Sequence, residues 1–191
     1  IGGIRGGAYW LNTDSLDQRP LYELVALTLH ESVPGHHLQT ALSQELENVP
    51  QFRRNLYLSA YGEGWGLYAE QVAYEMGMYK DDPFGNLGRL KAELFRSVRL
   101  VVDTGMHAKK WTREQAVQYM AQTTGTASSD VISEIERYMA WPGQALGYKL
   151  GMLKIVELRE QARTELGAQF DIRAFHDLVL LSGAVPMKVL E

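Results

Sequence analysis

The stretch Leu24-Val25-Ala26-Leu27-Thr28-Leu29-His30-Glu31-Ser32-Val33-Pro34-Gly35-His36-His37-Leu38-Gln39 decides how this chain folds around its densest group of imidazoles. Apolar residues in its first half recur at the three- and four-residue spacing of a helix that buries one face. Pro34 and Gly35 interrupt this pattern, because proline lacks the N–H that a helix interior needs and clashes with the preceding turn. The stretch therefore predicts a helix from residue 20 that ends near Pro34, and a second helix that begins around His37.

Helical spacing recurs along most of the remaining chain. Apolar periodicity and capping residues predict helices over residues 37–48, 51–76, 87–107, 112–125, 129–140, 142–166 and 171–183. Residues 9–13, which are aromatic and β-prone, predict a strand. No repeat or linker divides the chain, so we predict a mostly α fold. It is one multi-helix domain over residues 1–191, with at most one short β element near the N-terminus.

The composition excludes several classes of protein and of site. With 19 basic against 23 acidic side chains, the net charge of −4 argues against nucleic acid as the main partner. No apolar run reaches the roughly 18 residues that a membrane span needs. The 191 residues contain no cysteine, which excludes a disulfide framework, a thiolate zinc site and a cysteine nucleophile. Any metal ion must therefore be held by nitrogen and oxygen atoms.

A histidine followed at once by a glutamate is the first half of the zinc-peptidase pattern H-E-x-x-H, and His30 and Glu31 form this pair. Four residues after His30 the chain has Pro34, which offers no ligand atom, and the next imidazoles are His36 and His37. On an unbroken helix a residue seven positions later lies about 10 Å along the axis, too far to share one ion easily. The proline–glycine break removes that objection. We predict that His36 is the second ligand, with His37 as the alternative.

A catalytic zinc site needs a third protein ligand and an open position for water. Because cysteine is absent, a downstream carboxylate is the natural candidate, and Glu63 is flanked by Gly62, Gly64 and Gly66. Each glycine inside a helix costs about 1 kcal/mol relative to alanine, so this cluster indicates close packing or binding around the carboxylate. Glu63 is therefore the predicted third ligand, and Glu70, one heptad later, is the alternative.

At these residues the sequence resembles the bacterial domain-of-unknown-function family 885, whose signature is H-E-x-x-P-G-H-H-x-Q. The matching segments cover nearly the whole chain and are residues 30–39, 62–65, 67–70, 99–107 and 142–148. Family members are longer, with a helical N-terminal half. Since the chain also begins with Ile1 in a glycine-rich run, we expect a C-terminal catalytic fragment whose N-terminal half is missing.

The family is similar to zinc peptidases of the gluzincin type, and this similarity implies a gluzincin-like catalytic domain. It implies that His30, His36 and Glu63 hold Zn²⁺, which lowers the pKa of a bound water towards about 7. Glu31 then acts as the general base and passes the proton to the leaving amine. Tyr148 is the predicted donor to the oxyanion of the reacting carbonyl.

Other side chains have weaker predicted roles. Tyr138 is the second choice for the oxyanion donor. Asp103 is predicted to accept a hydrogen bond from a ligand imidazole. Arg99 and Arg159 are candidates for binding a peptide carboxylate.

We therefore predict a zinc-dependent hydrolase that cleaves peptide bonds and acts on a peptide substrate. Two alternatives remain open. One is a metal-dependent amide hydrolase that acts on a small non-peptide substrate. The other is a non-catalytic helical fragment whose imidazoles cluster by chance. An inert scaffold binds no stoichiometric zinc, whereas both hydrolases require it.

Overall fold

The computed structural model describes residues 6–47 and 49–191 of the chain. Ten α-helices and four short 3₁₀ helices make up the regular structure of this part. The α-helices are α1 Leu24–Glu31, α2 His36–Glu45, α3 Gln51–Arg54, α4 Ser59–Glu75, α5 Pro83–Lys109, α6 Arg113–Thr124, α7 Ser128–Ala140, α8 Gly147–Leu166, α9 Ile172–Leu181 and α10 Met187–Leu190. The 3₁₀ helices are Leu16–Gln18, Leu21–Glu23, Gln144–Leu146 and Gly167–Gln169. The predicted mostly α fold is confirmed.

The predicted strand over residues 9–13 is wrong, because these residues form no regular structure. A strand must pair its backbone N–H and C=O groups with a neighbouring strand. Residues 6–47 and 49–191 contain no strand that could pair with it. The aromatic composition of the segment was therefore insufficient to make it a strand.

The boundaries of several helices differ from the prediction. The helix predicted over residues 51–76 is interrupted at residues 55–58, which separate α3 from α4. The helix predicted from Pro142 begins at Gly147, since Gly143 adopts a left-handed conformation with φ of 82° that no α-helix continues through. By contrast, the capping box predicted for α6 is present in full, with Thr112 and Gln115 each accepting a backbone N–H.

The break between α1 and α2 lies where it was predicted. A Cβ added to Gly35 would overlap the carbonyl oxygen of His30, so any larger residue would push the two helices apart. Gly35 has a negative φ of −81°, which means that this glycine is needed for space and not for a left-handed backbone. The indole of Trp65 donates a 2.8 Å hydrogen bond to the carbonyl oxygen of Pro34 and ties the turn to α4.

Helix α4 lies at the centre of the molecule, and its residues 61–70 are all buried. It packs closely against α8, where an added Cβ on Gly64 would lie 2.6 Å from the Cα of Gly151. A second apolar cluster joins α5, α6 and α7 through Val102, Met120 and Ile135. Because α4 is enclosed by α1, α2 and α8, its acidic side chains are carried into the interior. No helix in the described residues is long and apolar enough to cross a membrane.

Candidate metal centre

Three side chains that the sequence singles out meet at one place. The ligand atoms offered by His30, His36 and Glu63 all lie within 4.8 Å of one another. Oε2 of Glu63 is 3.1 Å from Nε2 of His36 and 3.6 Å from Nε2 of His30. Two donors bound to one zinc ion at 2.0–2.1 Å with tetrahedral angles are about 3.3 Å apart. The two distances to Glu63 are therefore close to the spacing at a zinc ion, and the two imidazole nitrogens lie within 4.8 Å of each other.

The turn at residues 32–35 brings the two imidazoles together. His30 lies in the last turn of α1, and His36 is the first residue of α2. Their ring centroids are 4.7 Å apart and the ring planes are nearly perpendicular. On an unbroken helix, six residues would span about 9 Å along the axis. The alternative ligand His37 is exposed and faces the N-terminal segment, where an added Cβ on Gly7 would lie 2.8 Å from its Nδ1.

Gly66 makes room for both imidazoles. It follows Glu63 by three residues on α4, so the two positions lie on the same face of that helix. A Cβ added to Gly66 would lie 2.7 Å from Nε2 of His30 and 3.0 Å from Cε1 of His36. Residue 66 is therefore a glycine for a steric reason, because the two imidazole rings occupy the volume that a side chain there would need.

Glu70 orients His30. The Nδ1–H of His30 donates a 2.8 Å hydrogen bond to Oε1 of Glu70, which is 1% exposed. This bond leaves Nε2 of His30 directed towards Glu63, as a carboxylate partner does for a metal-binding histidine. Glu70, the alternative third ligand, thus lies behind the imidazole and outside the donor cluster.

The predicted contact of Asp103 with a ligand imidazole is wrong. Oδ2 of Asp103 accepts a 3.1 Å hydrogen bond from the backbone N–H of Gly143. His107, on the same face of α5, lies against the backbone carbonyl of Tyr138 at 3.0 Å. Asp103 therefore supports the turn before α8 and His107 supports the last turn of α7, because this part of α5 passes close to both segments.

The charges at the cluster favour an anionic ligand carboxylate. Burial raises the pKa of Glu63, but the neighbouring imidazole of His30 and the hydrogen bonds with His36 and Tyr57 outweigh it and lower the pKa well below its usual range. Burial likewise lowers the pKa of His30, and its hydrogen bonds to Glu63 and Glu70 raise it above the ordinary value. Glu63 therefore keeps its negative charge at neutral pH, as coordination to a divalent cation requires.

Tyr57 is a site residue that the sequence did not reveal. Its hydroxyl donates a 2.5 Å hydrogen bond to Oε1 of Glu63, the carboxylate oxygen that does not face the imidazoles. Sequence periodicity placed Tyr57 inside a helix, whereas it lies in the non-helical residues 55–58. The one signal in the sequence was Gly62. Its structural reason is the Tyr57 ring, which would lie 2.9 Å from a Cβ added to that glycine. Tyr57 is 56% exposed, but partial removal of its hydroxyl from solvent and the contact with Glu63 raise its pKa, so it remains a donor.

Replacing Tyr57 by phenylalanine tests this contact. We expect Tyr57→Phe to weaken zinc binding by about tenfold, because loss of an outer hydrogen-bond partner typically costs 10–100-fold in metal affinity. Equilibrium zinc titration against a competing chelator measures the effect. Tyr148→Phe is the matched control, since Tyr148 makes no hydrogen bond to Glu63 in the described structure. Equal zinc affinity in the two variants would show that Tyr57 does not position the ligand.

The donor cluster opens into a cavity of about 590 Å³. Glu31 lines this cavity beside His30 and is exposed to solvent. Tyr148 also lines it, with its ring stacked on the His30 ring at a centroid distance of 6.2 Å. Both predicted catalytic side chains therefore face the same space as the cluster.

Two other candidates lie outside this cavity. The Tyr138 hydroxyl is buried between Arg99 and Glu134, at 2.6 Å and 2.5 Å. Arg159 donates two hydrogen bonds to the carboxylate of Glu75, at 2.8 and 3.0 Å. Tyr138 and Arg159 are thus occupied by structural contacts, while Arg99 lines the cavity.

Fold and site together define a helical domain with a candidate His–His–Glu metal centre in an open cavity. The chain belongs to the family described as "Bacterial protein of unknown function (DUF885)", whose model matches residues 1–191. No curated protein matches the sequence.

Two solved structures are similar to this chain. One is the crystal structure of a "putative lipoprotein" from Colwellia psychrerythraea, with 64% identity and a TM-score of 0.94 over 95% of this chain and 31% of that one. The other is a "putative lipoprotein of unknown function" from Shewanella oneidensis, with 27% identity and a TM-score of 0.84 over 92% of this chain and 32% of that one. The chain thus spans about a third of the length of these relatives.

Proposed function

We propose that this chain carries the catalytic site of a zinc-dependent peptidase. The observation that supports this most directly is the position of Oε2 of Glu63, 3.1 Å from one imidazole nitrogen and 3.6 Å from the other. Two imidazoles and one carboxylate are a ligand set of catalytic zinc sites, in which the fourth position takes water or substrate. We also propose that the site is of the gluzincin type, as the sequence resemblance implies.

The donor chemistry favours zinc over harder cations. Calcium and magnesium prefer six or more oxygen ligands or several retained waters, whereas this cluster offers two nitrogens and one oxygen. A bound Zn²⁺ would supply a Lewis acid and lower the pKa of its water towards about 7. His30 and His36 pack against Gly66 of α4 and direct Nε2 towards Glu63, which also lines the cavity.

Glu31 and Tyr148 complete the chemistry. Glu31 accepts the proton of the attacking water and returns it to the amide nitrogen as the C–N bond breaks, so the proton count balances. Tyr148 donates a hydrogen bond to the carbonyl oxygen as negative charge develops there. Its ring lies beside the His30 ring at 6.2 Å, close enough to face a carbonyl held at the cluster.

The cavity fits a short stretch of peptide. Its volume of about 590 Å³ lies within the range of roughly 300–1,000 Å³ that ligand sites occupy. Both apolar and charged side chains line it, among them Leu56, Leu58 and Arg54. A small non-peptide amide would use the same water activation. Comparing the hydrolysis of a peptide library with that of a set of small amides separates the two substrate classes.

Zinc binding is expected to stabilise the fold. We predict one zinc ion per chain by elemental analysis and a melting temperature that falls on chelation, because a ligand that binds only the native state stabilises it by about 4 kcal/mol at 1,000 times its Kd. His37→Ala is the matched control and keeps both properties, since His37 faces away from the cluster. A chain that takes up no zinc and melts at the same temperature with chelator would support the inert scaffold and contradict the proposal.

A further inference from the structure

Two arginines on α5 line the cavity, and each has one buried nitrogen without a hydrogen-bond partner in the described part of the chain. Arg99 is 6% exposed, and its Nε and Nη2 donate to Tyr138 and Glu134 at 2.6 and 2.8 Å. Its Nη1 is buried and has no hydrogen-bond partner among the described residues. Arg96, three residues earlier, donates from Nη1 to the carbonyl oxygen of Ala92, while its buried Nε has no partner in the described part of the chain.

Buried charged donors without acceptors are unusual. Native proteins pair about 90% or more of their buried polar groups, and an unpaired one costs about 1–3 kcal/mol. The nearby carboxylates are also shared. Glu134 accepts from both Arg99 and Arg137, and Oε1 of Glu70 accepts from His30 and lies 3.9 Å from Nη2 of Arg96. Oε2 of Glu70 is also buried without a partner, so the missing acceptor is clearest at Nη1 of Arg99.

The arginines lie at a short, defined distance from the metal cluster. Cζ of Arg99 is 4.4 Å from the centre of the Tyr148 ring, and that ring is 6.2 Å from the His30 ring. Since both distances end on the Tyr148 ring, Arg99 lies within about 11 Å of the His30 ring. An extended peptide covers about 3.3–3.6 Å per residue, so this distance holds at most about three residues.

The same arginines form a wall of the cavity. Arg96 and Arg99 also line a second cavity of about 860 Å³, which lies against α5 and residues 17–20. Two positive charges therefore lie along one side of the space that an extended chain would occupy beside the cluster.

We propose that Arg99 and Arg96 bind the C-terminal carboxylate of a peptide substrate, so that the site releases one to three residues from the C-terminus. This inference rests on the proposed function, because it places the scissile bond at the metal cluster. The guanidinium groups of Arg99 and Arg96 donate charge-assisted hydrogen bonds to the carboxylate, and a small shift of each side chain brings its unpaired nitrogen into the contact.

Binding of matched peptides tests the proposal apart from turnover. The probes are one peptide as the free acid, the same peptide with a C-terminal amide, and an amidated peptide with glutamate as its last residue. Their dissociation constants are measured by calorimetry on the Glu31→Gln variant of the full-length gene product, loaded with zinc. We expect the free acid to bind about 10–100 times more tightly than the plain amide, as charge-assisted hydrogen bonds predict.

Arg99→Lys in the same background tests the residue itself. Lysine keeps a positive charge beside Glu134 but has only one nitrogen, so it cannot bind Glu134 and a carboxylate in the fixed geometry of a guanidinium. We therefore expect the preference for the free acid to fall below about threefold. Arg159→Lys is the matched control, because Arg159 is equally buried at 5% exposure and lies outside the cavity. Far-ultraviolet circular dichroism shows whether each variant is folded. If Arg99→Lys does not fold, the peptide comparison on Glu31→Gln alone still decides the question.

Each outcome has a defined meaning. Equal affinity for free acid and amide overturns the carboxylate site, whether or not the unmodified protein cleaves either peptide. Tight binding of the amidated glutamate peptide shows that an acidic side chain is recognised and overturns release from the C-terminus. A strong preference for the free acid, with no cleavage by the unmodified protein, supports the carboxylate site and contradicts the proposed peptidase activity.

Discussion

Glu31→Gln is expected to lower kcat for peptide hydrolysis by about 10²–10⁴-fold, the contribution typical of a positioned general base. Glutamine has nearly the same shape but cannot accept the proton of the attacking water. Glu31 lines the cavity and is not one of the three clustered donors, so zinc content should remain at one per chain. Steady-state kinetics on a peptide substrate and elemental analysis of the same sample measure the two properties together.

Glu45→Gln is the matched control for this variant. Glu45 is an exposed glutamate at the end of α2 and does not line the cavity. The same change of charge at that position should leave kcat unchanged. Undiminished hydrolysis by Glu31→Gln would remove the general-base assignment and leave the metal cluster without a proton acceptor of this kind.

Glu63→Ala is expected to have the largest effect on metal binding. Oε2 of Glu63 is the atom that faces both imidazoles, so its removal leaves two ligands where three are needed. We expect zinc affinity to fall by more than the roughly 100-fold that loss of an outer partner costs. Zinc titration with a competing chelator gives the dissociation constant, and activity should disappear with the metal.

A second glutamate of α4 controls for changes in stability. Glu75→Ala removes the ion pair with Arg159, at 2.8 Å, near the other end of the same helix. This variant should lose some stability and keep its zinc affinity. If Glu63→Ala bound zinc as tightly as Glu75→Ala, the assignment of the third ligand would be wrong.

Local sequence rules accounted for most of the helices. The capping box at Thr112 and Gln115 and the break at Pro34 were predicted, because each depends on residues within one or two turns of each other. The interruption at residues 55–58 was missed, since the apolar spacing continues across it, while Arg53 and Ser59 on its two sides form hydrogen bonds with the distant residues Ser182 and Gln144. The strand at residues 9–13 failed for a related reason, because strand formation depends on a partner elsewhere in the chain.

The cluster itself shows the same division. Its candidate members followed from sequence, with His37 left as an alternative to His36, since the chain has no cysteine and the glycines around Glu63 indicated close packing there. The residues that hydrogen-bond to those members could not be predicted from sequence. Glu70 was considered as a ligand and instead orients His30, while Tyr57 had no expected role at the site.

The sequence by itself determined the helical class, the break between α1 and α2 and the chemical types available for a metal site, because these depend on composition and on neighbours along the chain. Only the tertiary structure decided that His36 and not His37 joins His30 and Glu63, and that Arg99, which has an unpaired buried nitrogen, lines the same cavity. Those outcomes depend on how α1, α2, α4 and α5 pack. The direction of a side chain changes by about 100° with each residue of a helix, so only the packed arrangement determines which neighbour faces the site.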